Sequence, residues 1–422
     1  MAPLRVLIAG GGVGGLALAV GLRARGIEDV LVFERDSSLQ SAATRSSALA
    51  LAPNGSAALR ALAPSLHLDC AAAAAGEPQT LSAFLVGKGA LPVLKSEAET
   101  KQRFGAYTVM MRWRALTQLL AAQLPSEGVL VLDAGLSAFE QLPNGCVRAT
   151  FTSRDGRTVQ THEADVLVGA DGVRSAVRAT LLGPGDPPPR DGGRVVWRAV
   201  ISTTPALVDI CPRGSSLMVA APAEGKTLTY MHVGGGEFYW ALGCVDAGVK
   251  SAADAASAAA LTFASWPAAQ AALHATPVDG VLQQRIVDRP PLQPHALLGA
   301  GSVTLLGDAL HAMIPSLGHG ATSALEGALE LSQCLAAAVA AEGGCDAQRR
   351  VPALRGALRR YEAARLARAS AIQQRSHASG AASYGFAHGE ADAAPMDDAA
   401  FRDWLLHYAS PHAEALPLAG GV

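Results

Sequence analysis

Charge is scarce in this sequence. Asp, Glu, Lys and Arg supply 17% of 422 residues, aromatic residues 5%, and the formal net charge is -2. Without a basic surplus there is no electrostatic footprint of a nucleic-acid binder, and no nucleic-acid partner is expected. Cysteine is thinly spread: Cys70, Cys146, Cys211, Cys244, Cys334 and Cys345 form no Cys-x-x-Cys pair and have no histidine spacing that would complete a zinc site. Reduced thiols and no bound metal are therefore expected. No apolar run reaches the roughly 18 residues of a membrane span, because the most hydrophobic helical stretch, 321–341, carries Glu326 and Glu330. The opening Met1-Ala2-Pro3-Leu4-Arg5 enters a strand pattern directly, with no room for the parts of a signal peptide, so a soluble cytoplasmic protein is expected. Gly-x-Ser-x-Gly is absent around every serine, which argues against a nucleophile elbow. What remains is a chain with 50% hydrophobic residues, long enough for two or more packed substructures.

Three segments carry chemistry. The first is Gly10-x-Gly12-x-x-Gly15, placed after an apolar strand (5–9) and opening a helix (16–25), with a second strand (30–33) ending at Glu34. Strand, glycine turn, helix, strand and an acid about 20 residues on make the dinucleotide fingerprint. Gly10 permits the tight turn, Gly12 lets backbone approach a pyrophosphate, and Gly15 lets helix pack on strand. The helix start offers free N–H groups and a positive dipole end to phosphates. Glu34 can accept from ribose hydroxyls and would repel a 2′-phosphate, which favours FAD or NAD over NADP.

The second segment is an apolar strand, 166–169, that stops at Asp171-Gly172, followed by Arg174, Ser175 and Arg178. By itself it also reads as a helix cap with two solvated arginines. The third is the strand 303–306 ending in Gly307-Asp308, then Pro315-x-x-Gly318-x-Gly320 before a helix. All three strands can be parallel, with their carboxyl ends on one crevice. Between 194 and 245 the pattern changes to β-rich runs at 194–202, 216–223, 227–234 and 237–245, separated by Pro and Gly and without intervening helices, which predicts an antiparallel sheet. Helical patterns follow over 255–274 and 321–374, the latter interrupted around 343–352.

The order of the three motifs, over residues 10–328, resembles the single-component FAD-dependent aromatic hydroxylases, the class A flavoprotein monooxygenases of the para-hydroxybenzoate hydroxylase type. The resemblance implies an α/β plus antiparallel-β fold: a Rossmann-like FAD-binding domain, an inserted antiparallel-sheet substrate domain and C-terminal helices. The corresponding boundaries are 1–185 for the first part of the FAD-binding domain, with a short insertion about 76–105, then 186–290 for the substrate domain, 291–375 for the second FAD-binding part and 376–422 for a tail. It further implies that Gly10, Gly12, Val13, Gly14 and Gly15 hold the FAD pyrophosphate, with Glu34 at the adenosine ribose and Arg35 beside the adenine. Asp171 and Gly172 match the Asp-Gly motif shared by FAD and NAD(P)H binding. Asp308 matches the acid on the ribityl chain, and Pro315, Gly318, Gly320 and Ala321 match the loop and helix start under the isoalloxazine. Pro53-Asn54 resembles the family's helix start at the flavin edge. Arg112 resembles the arginine that contacts FAD, with Arg114 an alternative at this spacing. His319 stands where Gln is more usual, Gly327 where Asp is typical, and His311 follows Asp308 in the family's common form.

On this resemblance NAD(P)H delivers hydride to the flavin, O2 adds at C4a, and the resulting hydroperoxide hydroxylates or epoxidises a small organic, aromatic substrate. Pocket candidates on the sheet are Arg198, Tyr230, His232 and Trp240, with Met218 beside them. A single nucleotide fingerprint argues against the two-domain disulfide-reductase type, and the lack of Trp-x-Trp-x-Ile-Pro against a flavin halogenase. A carotenoid or isoprenoid epoxidase or dehydrogenase of the same fold shares every motif, and a non-catalytic nucleotide-binding scaffold is a third class.

Overall fold

A computed structural model describes residues 3–39, 46–64, 66, 80–86, 89–90, 97–245, 255–293, 296–297, 300–341, 347–384 and 398–408. Cys70 and Cys345 lie outside these. Cys146, Cys211, Cys244 and Cys334 are free thiols.

The strands Val6–Ala9, Val30–Phe33, Val166–Gly169 and Val303–Leu305 are short and almost wholly apolar, as strands covered on both faces must be. They pair in parallel, with Leu130–Val131 at one edge, in the order 303–305, 166–169, 6–9, 30–33, 130–131. Alternate residues serve opposite faces. Val6, Ile8, Val166 and Val168 join the core under the helices Val13–Arg23, Pro53–Leu62 and Gly320–Ala341. Leu7, Ala9, Leu167 and Leu305 join a second core with Phe33 and Phe151, whose rings stack 3.7 Å apart. Phe151 belongs to a three-stranded antiparallel sheet, 135–164, that closes this face.

The second large sheet has seven strands in the order 282–288, 190–202, 237–245, 226–232, 215–221, 80–85, 89–90. The predicted antiparallel runs form its centre. Its edge is completed by Thr80–Leu85, which pairs in parallel with Ser215–Ala221. Strands 80–85 and 89–90, within the stretch about 76–105 read from sequence as an insertion in the nucleotide-binding part, are thus hydrogen-bonded into this sheet. Trp197, Tyr230, Phe238, Trp240 and Phe263 pack one face against the helices Ala255–Thr262 and Pro267–His274.

Gly320–Ala341 is long and apolar enough by composition to cross a membrane, yet most of it is buried inside this fold. The last long helix resumes at Ala347 and runs to Tyr384, past the break expected around 343–352. Pro352 sits in its second turn, where few backbone bonds are lost. In the tail, Asp398–Leu406 is helical and packs through Phe401 and Leu405 on Ile372, Met313 and Leu317.

Candidate functional site

The carboxyl ends of strands 6–9, 166–169 and 303–305 open on one cavity of about 1270 Å³, lined there by Gly12, Val13, Gly14, Ala170, Gly172, Leu306, Gly307 and Asp308. Gly10 has φ +114°, and a Cβ there would lie 2.2 Å from the Ala170 carbonyl oxygen. A Cβ on Gly15 would lie 2.0 Å from the Gly10 oxygen, so both positions exclude any side chain. At Gly12 the same test meets nothing within 4 Å, because the space is the cavity itself. Gly12 is also the N-cap of helix Val13–Arg23 and provides no side-chain bond to it, which leaves first-turn N–H groups for an anion.

The acids are held differently from one another. Glu34 backs the turn: its Oε2 accepts from the Gly11 N–H at 2.7 Å and its Oε1 from the Asp36 N–H at 2.9 Å. Arg35 beside it is exposed. Asp171 accepts from the Ser175 hydroxyl at 2.5 Å and from the N–H groups of Ala176 and Val177 at 2.7 and 3.2 Å, capping helix Ala176–Leu182. Burial raises its pKa in spite of those bonds. Its neighbours Ala170 and Gly172, not Asp171, line the cavity. The Asp308 side chain is solvent-accessible, and it opens on the cavity inside the fold. Burial raises its pKa, and among the described residues its carboxylate has no hydrogen-bond or ion-pair partner. Facing the cavity, this carboxylate can accept a hydrogen bond from a ligand. A glycine cradle with free N–H groups and an unpaired carboxylate farther along the same cavity fit a dinucleotide that carries a hydroxylated chain.

Arg112, at the end of strand Val109–Arg112, is buried and donates to Glu237 Oε1 at 2.5 Å. Burial lowers its pKa although Glu237 opposes the shift. Neither Arg112 nor Arg114 lines the cavity, whereas Trp113 between them does.

On the seven-stranded sheet, Arg194, Val196, Arg198, Ser216, Met218, Thr229, Met231, Tyr239 and Ala241 face the cavity. Of the five sheet residues read from sequence as pocket candidates, Arg198 and Met218 are among them and Tyr230, His232 and Trp240 are not. Tyr230 donates to the Ala268 carbonyl, His232 Nε2 lies 2.9 Å from the Cys211 carbonyl, and Trp240 Nε1 donates to Thr276 Oγ1 at 2.9 Å, all on the helix-covered side. Side chains alternate along a strand, so a choice of register one residue off exchanges the faces. Arg198 donates to Gln284 at 2.5 Å and Arg194 to Thr227 at 3.1 Å. A Cβ on Gly243 would sit 2.7 Å from the Arg194 guanidinium, so glycine makes room for that cation.

The far wall is the loop Pro315, Ser316, Leu317, Gly318, His319 and the start of helix Gly320–Ala341, with Ala321. Gly318 takes φ +64°, the left-handed conformation that lets the loop turn into the helix. His319 Nδ1 lies 3.1 Å from the Leu317 carbonyl, which can only accept, so Nδ1 carries the proton and Nε2 faces the Asn54 amide at 3.5 Å. Burial lowers its pKa and keeps the ring neutral. His311 does not line the cavity; burial drives its pKa down to about 3, and it is a neutral core residue.

Behind His319 lies a cluster the sequence reading missed. Asn54 donates to Glu326 Oε1 at 2.6 Å, Arg365 to Oε2 at 2.9 Å, and Arg368 to both oxygens at 2.9 Å. Burial alone would raise the Glu326 pKa, but the two arginines outweigh it and hold the carboxyl at about 2. Gly327, where the resemblance would put an acid, is closely packed: a Cβ would lie 2.8 Å from Leu306 Cδ1, which would have to move, and 3.4 Å from the Tyr361 hydroxyl. Phe401, Arg402, Leu405 and Leu406 of the tail helix complete the cavity; in the sequence they fall in one compact apolar segment, Phe401 to Tyr408, of a tail rich in Ala, Gly and His.

Comparison with known proteins places this geometry. The family model described as FAD binding domain matches residues 3–376. Aurachin C monooxygenase/isomerase of Stigmatella aurantiaca is 34% identical over 87% of this chain and 86% of its own length. A 3-amino-4-hydroxybenzoate 2-monooxygenase of Streptomyces platensis is 30% identical over 89% of this chain and 87% of its own. Chloroplastic zeaxanthin epoxidase of Nicotiana plumbaginifolia is 32% identical over 87% of this chain, which spans only 53% of that relative's length.

Proposed function

This chain belongs to the FAD binding domain family, and we propose that the molecule it oxygenates is a small aromatic compound held between the seven-stranded sheet and the loop 315–321. It is an FAD-dependent monooxygenase, of a family in which NAD(P)H is the usual electron donor. Bound FAD supplies the redox chemistry, accepting electrons from NAD(P)H and activating O2 for transfer of one oxygen atom. The protein binds, orients and excludes water.

In this reading Gly12, Val13 and Gly14 receive the pyrophosphate on free N–H groups, with Gly10 and Gly15 fixing the turn, and Glu34 and Arg35 flank the adenosine. Asp308 accepts from a ribityl hydroxyl. Pro315, Gly318, Gly320 and Ala321 bring the positive end of a helix dipole to the ring, where negative charge gathers on reduction. Gly172 walls the other side. Arg112, or Arg114, acts from behind Trp113.

The observation that carries the reading is that one cavity joins the glycine turn, the lone Asp308 carboxylate and a sheet face with substrate-sized space. That face offers Tyr239, Met218 and Met231 to a flat polarisable ring, and Arg194 and Arg198 to a phenolate or carboxylate edge. A relative that acts on an aminohydroxybenzoate supports the same class. Epoxidation of an isoprenoid is the second reading, favoured by the Ala48, Ala50, Met110 and Ala241 lining and by the epoxidase relatives. The test is to purify the protein, load it with FAD, and screen phenolics, heteroaromatics and isoprenoids for stimulated NADH or NADPH consumption with oxygenated product measured alongside. Turnover of isoprenoids alone would replace the aromatic assignment, and no product from any class would overturn the proposal.

A further inference from the structure

We infer that Arg368 is a positioning residue that couples the tail helix Asp398–Leu406 to the loop 315–320, so that the docked helix and a filled cavity stabilise each other. One guanidinium serves both sides. Its Nε and Nη2 hold the two carboxylate oxygens of Glu326 at 2.9 Å, while Nη1 and Nη2 reach the carbonyls of Trp404 at 3.2 Å and Leu405 at 2.8 Å. Those carbonyls lie in the last turn of the helix, where carbonyls have no partner within it and a cation meets the negative dipole end. The rings of Trp404 and Tyr408 lie 4.7 and 4.9 Å from the same guanidinium.

From Glu326 the contacts run through Asn54 to the ring of His319, which lines the cavity. On its other side the helix packs Phe401 and Leu405 against Met313, Leu317 and Ile372. The helix is therefore bound along an ionic route and an apolar route, and both end on the loop that carries Pro315 and Gly318. Coupling is reciprocal by thermodynamic necessity: if the docked helix favours the loop form that holds a ligand, the ligand favours the docked helix by the same factor. A lysine at 368 keeps a positive charge beside Glu326, but one ammonium cannot span two carboxylate oxygens and two carbonyls.

The inference rests on FAD occupying this cavity, and the experiment separates the two. The full chain is followed as wild type, Arg368→Lys and Phe401→Ala, without and with FAD, by hydrogen exchange over 399–406 and by flavin-fluorescence titration. FAD should slow exchange over 399–406 in the wild type. Both variants should speed that exchange and weaken FAD binding about tenfold, an ordinary size for such coupling. If Arg368→Lys does not fold, Phe401→Ala carries the test. Exchange in the wild type that is indifferent to FAD, or a released helix with unchanged FAD affinity, would overturn the coupling. A wild type that binds no FAD would overturn the reading on which it rests, and the coupling with it.

Discussion

At the residue scale, the cavity depends on a few positions where chemistry and space leave no choice. Asp308 was legible in the sequence because a strand ending in Gly-Asp, then a Pro and two spaced glycines before a helix, resembles the family's ribityl-binding segment, and the structure adds that its carboxylate faces the cavity without a protein partner among the described residues. Its replacement in Asp308→Ala should weaken FAD at least tenfold in a fluorescence titration, in keeping with a hydrogen bond to a charged group worth about 1.5–3 kcal/mol. Gly327 was legible only as a departure, and its cause lies in Leu306 and Tyr361, distant in sequence. Gly327→Asp should destabilise by about 1–3 kcal/mol through overpacking, measured by denaturant unfolding. Glu326 sets a pH dependence. Its pKa is depressed in the folded protein, so its contribution is complete above the unfolded value near 4.5 and is lost as pH falls toward about 2. The melting midpoint should drop through that window in the wild type and drop less in Glu326→Gln, which starts lower at neutral pH. None of these partners could be read in advance, because Asn54, Glu326, Arg365 and Arg368 are brought together by packing alone.

At the scale of elements, strands were easier to place than to orient. The parallel strands read as unbroken apolar runs because both of their faces are covered, and the glycine turn has a spacing that few other structures need. The seven-stranded sheet is covered on one face by helices and on the other mixes Arg194, Arg198, Ser216 and Thr229 with Met218, Met231 and Tyr239 toward the cavity, so alternation could not say which side held Tyr230, His232 and Trp240. The two faces should separate in mutagenesis. Trp240→Ala should cost about 3–5 kcal/mol of stability, as for other large buried aromatics. Met218→Ala and Tyr239→Phe should shift KM or the ratio of product to NAD(P)H consumed while lowering the melting temperature far less than Trp240→Ala does. The opposite pattern would show that the sheet face toward the cavity does not hold the substrate.

For the whole molecule, the fold class was legible because each local signal agreed with the others: turn chemistry, acid spacing and the change from helical to strand periodicity. Less legible were the joins, such as segment 80–90 completing a sheet built from 190–288 and the tail helix closing the cavity. These depend on long-range pairing that no local pattern encodes. FAD at a hundredfold excess over its Kd should raise stability by about 2.7 kcal/mol, seen as a concentration-dependent melting temperature. The parallel sheet sets strand 303–305 beside 166–169, which lies beside 6–9. During synthesis the glycine turn therefore emerges long before its partners, and the cavity has no far wall until helix Gly320–Ala341 has left the ribosome. Cofactor loading must then follow translation of most of the chain, and nascent chains halted near residue 300 should show no flavin retention, however complete their first nucleotide motif.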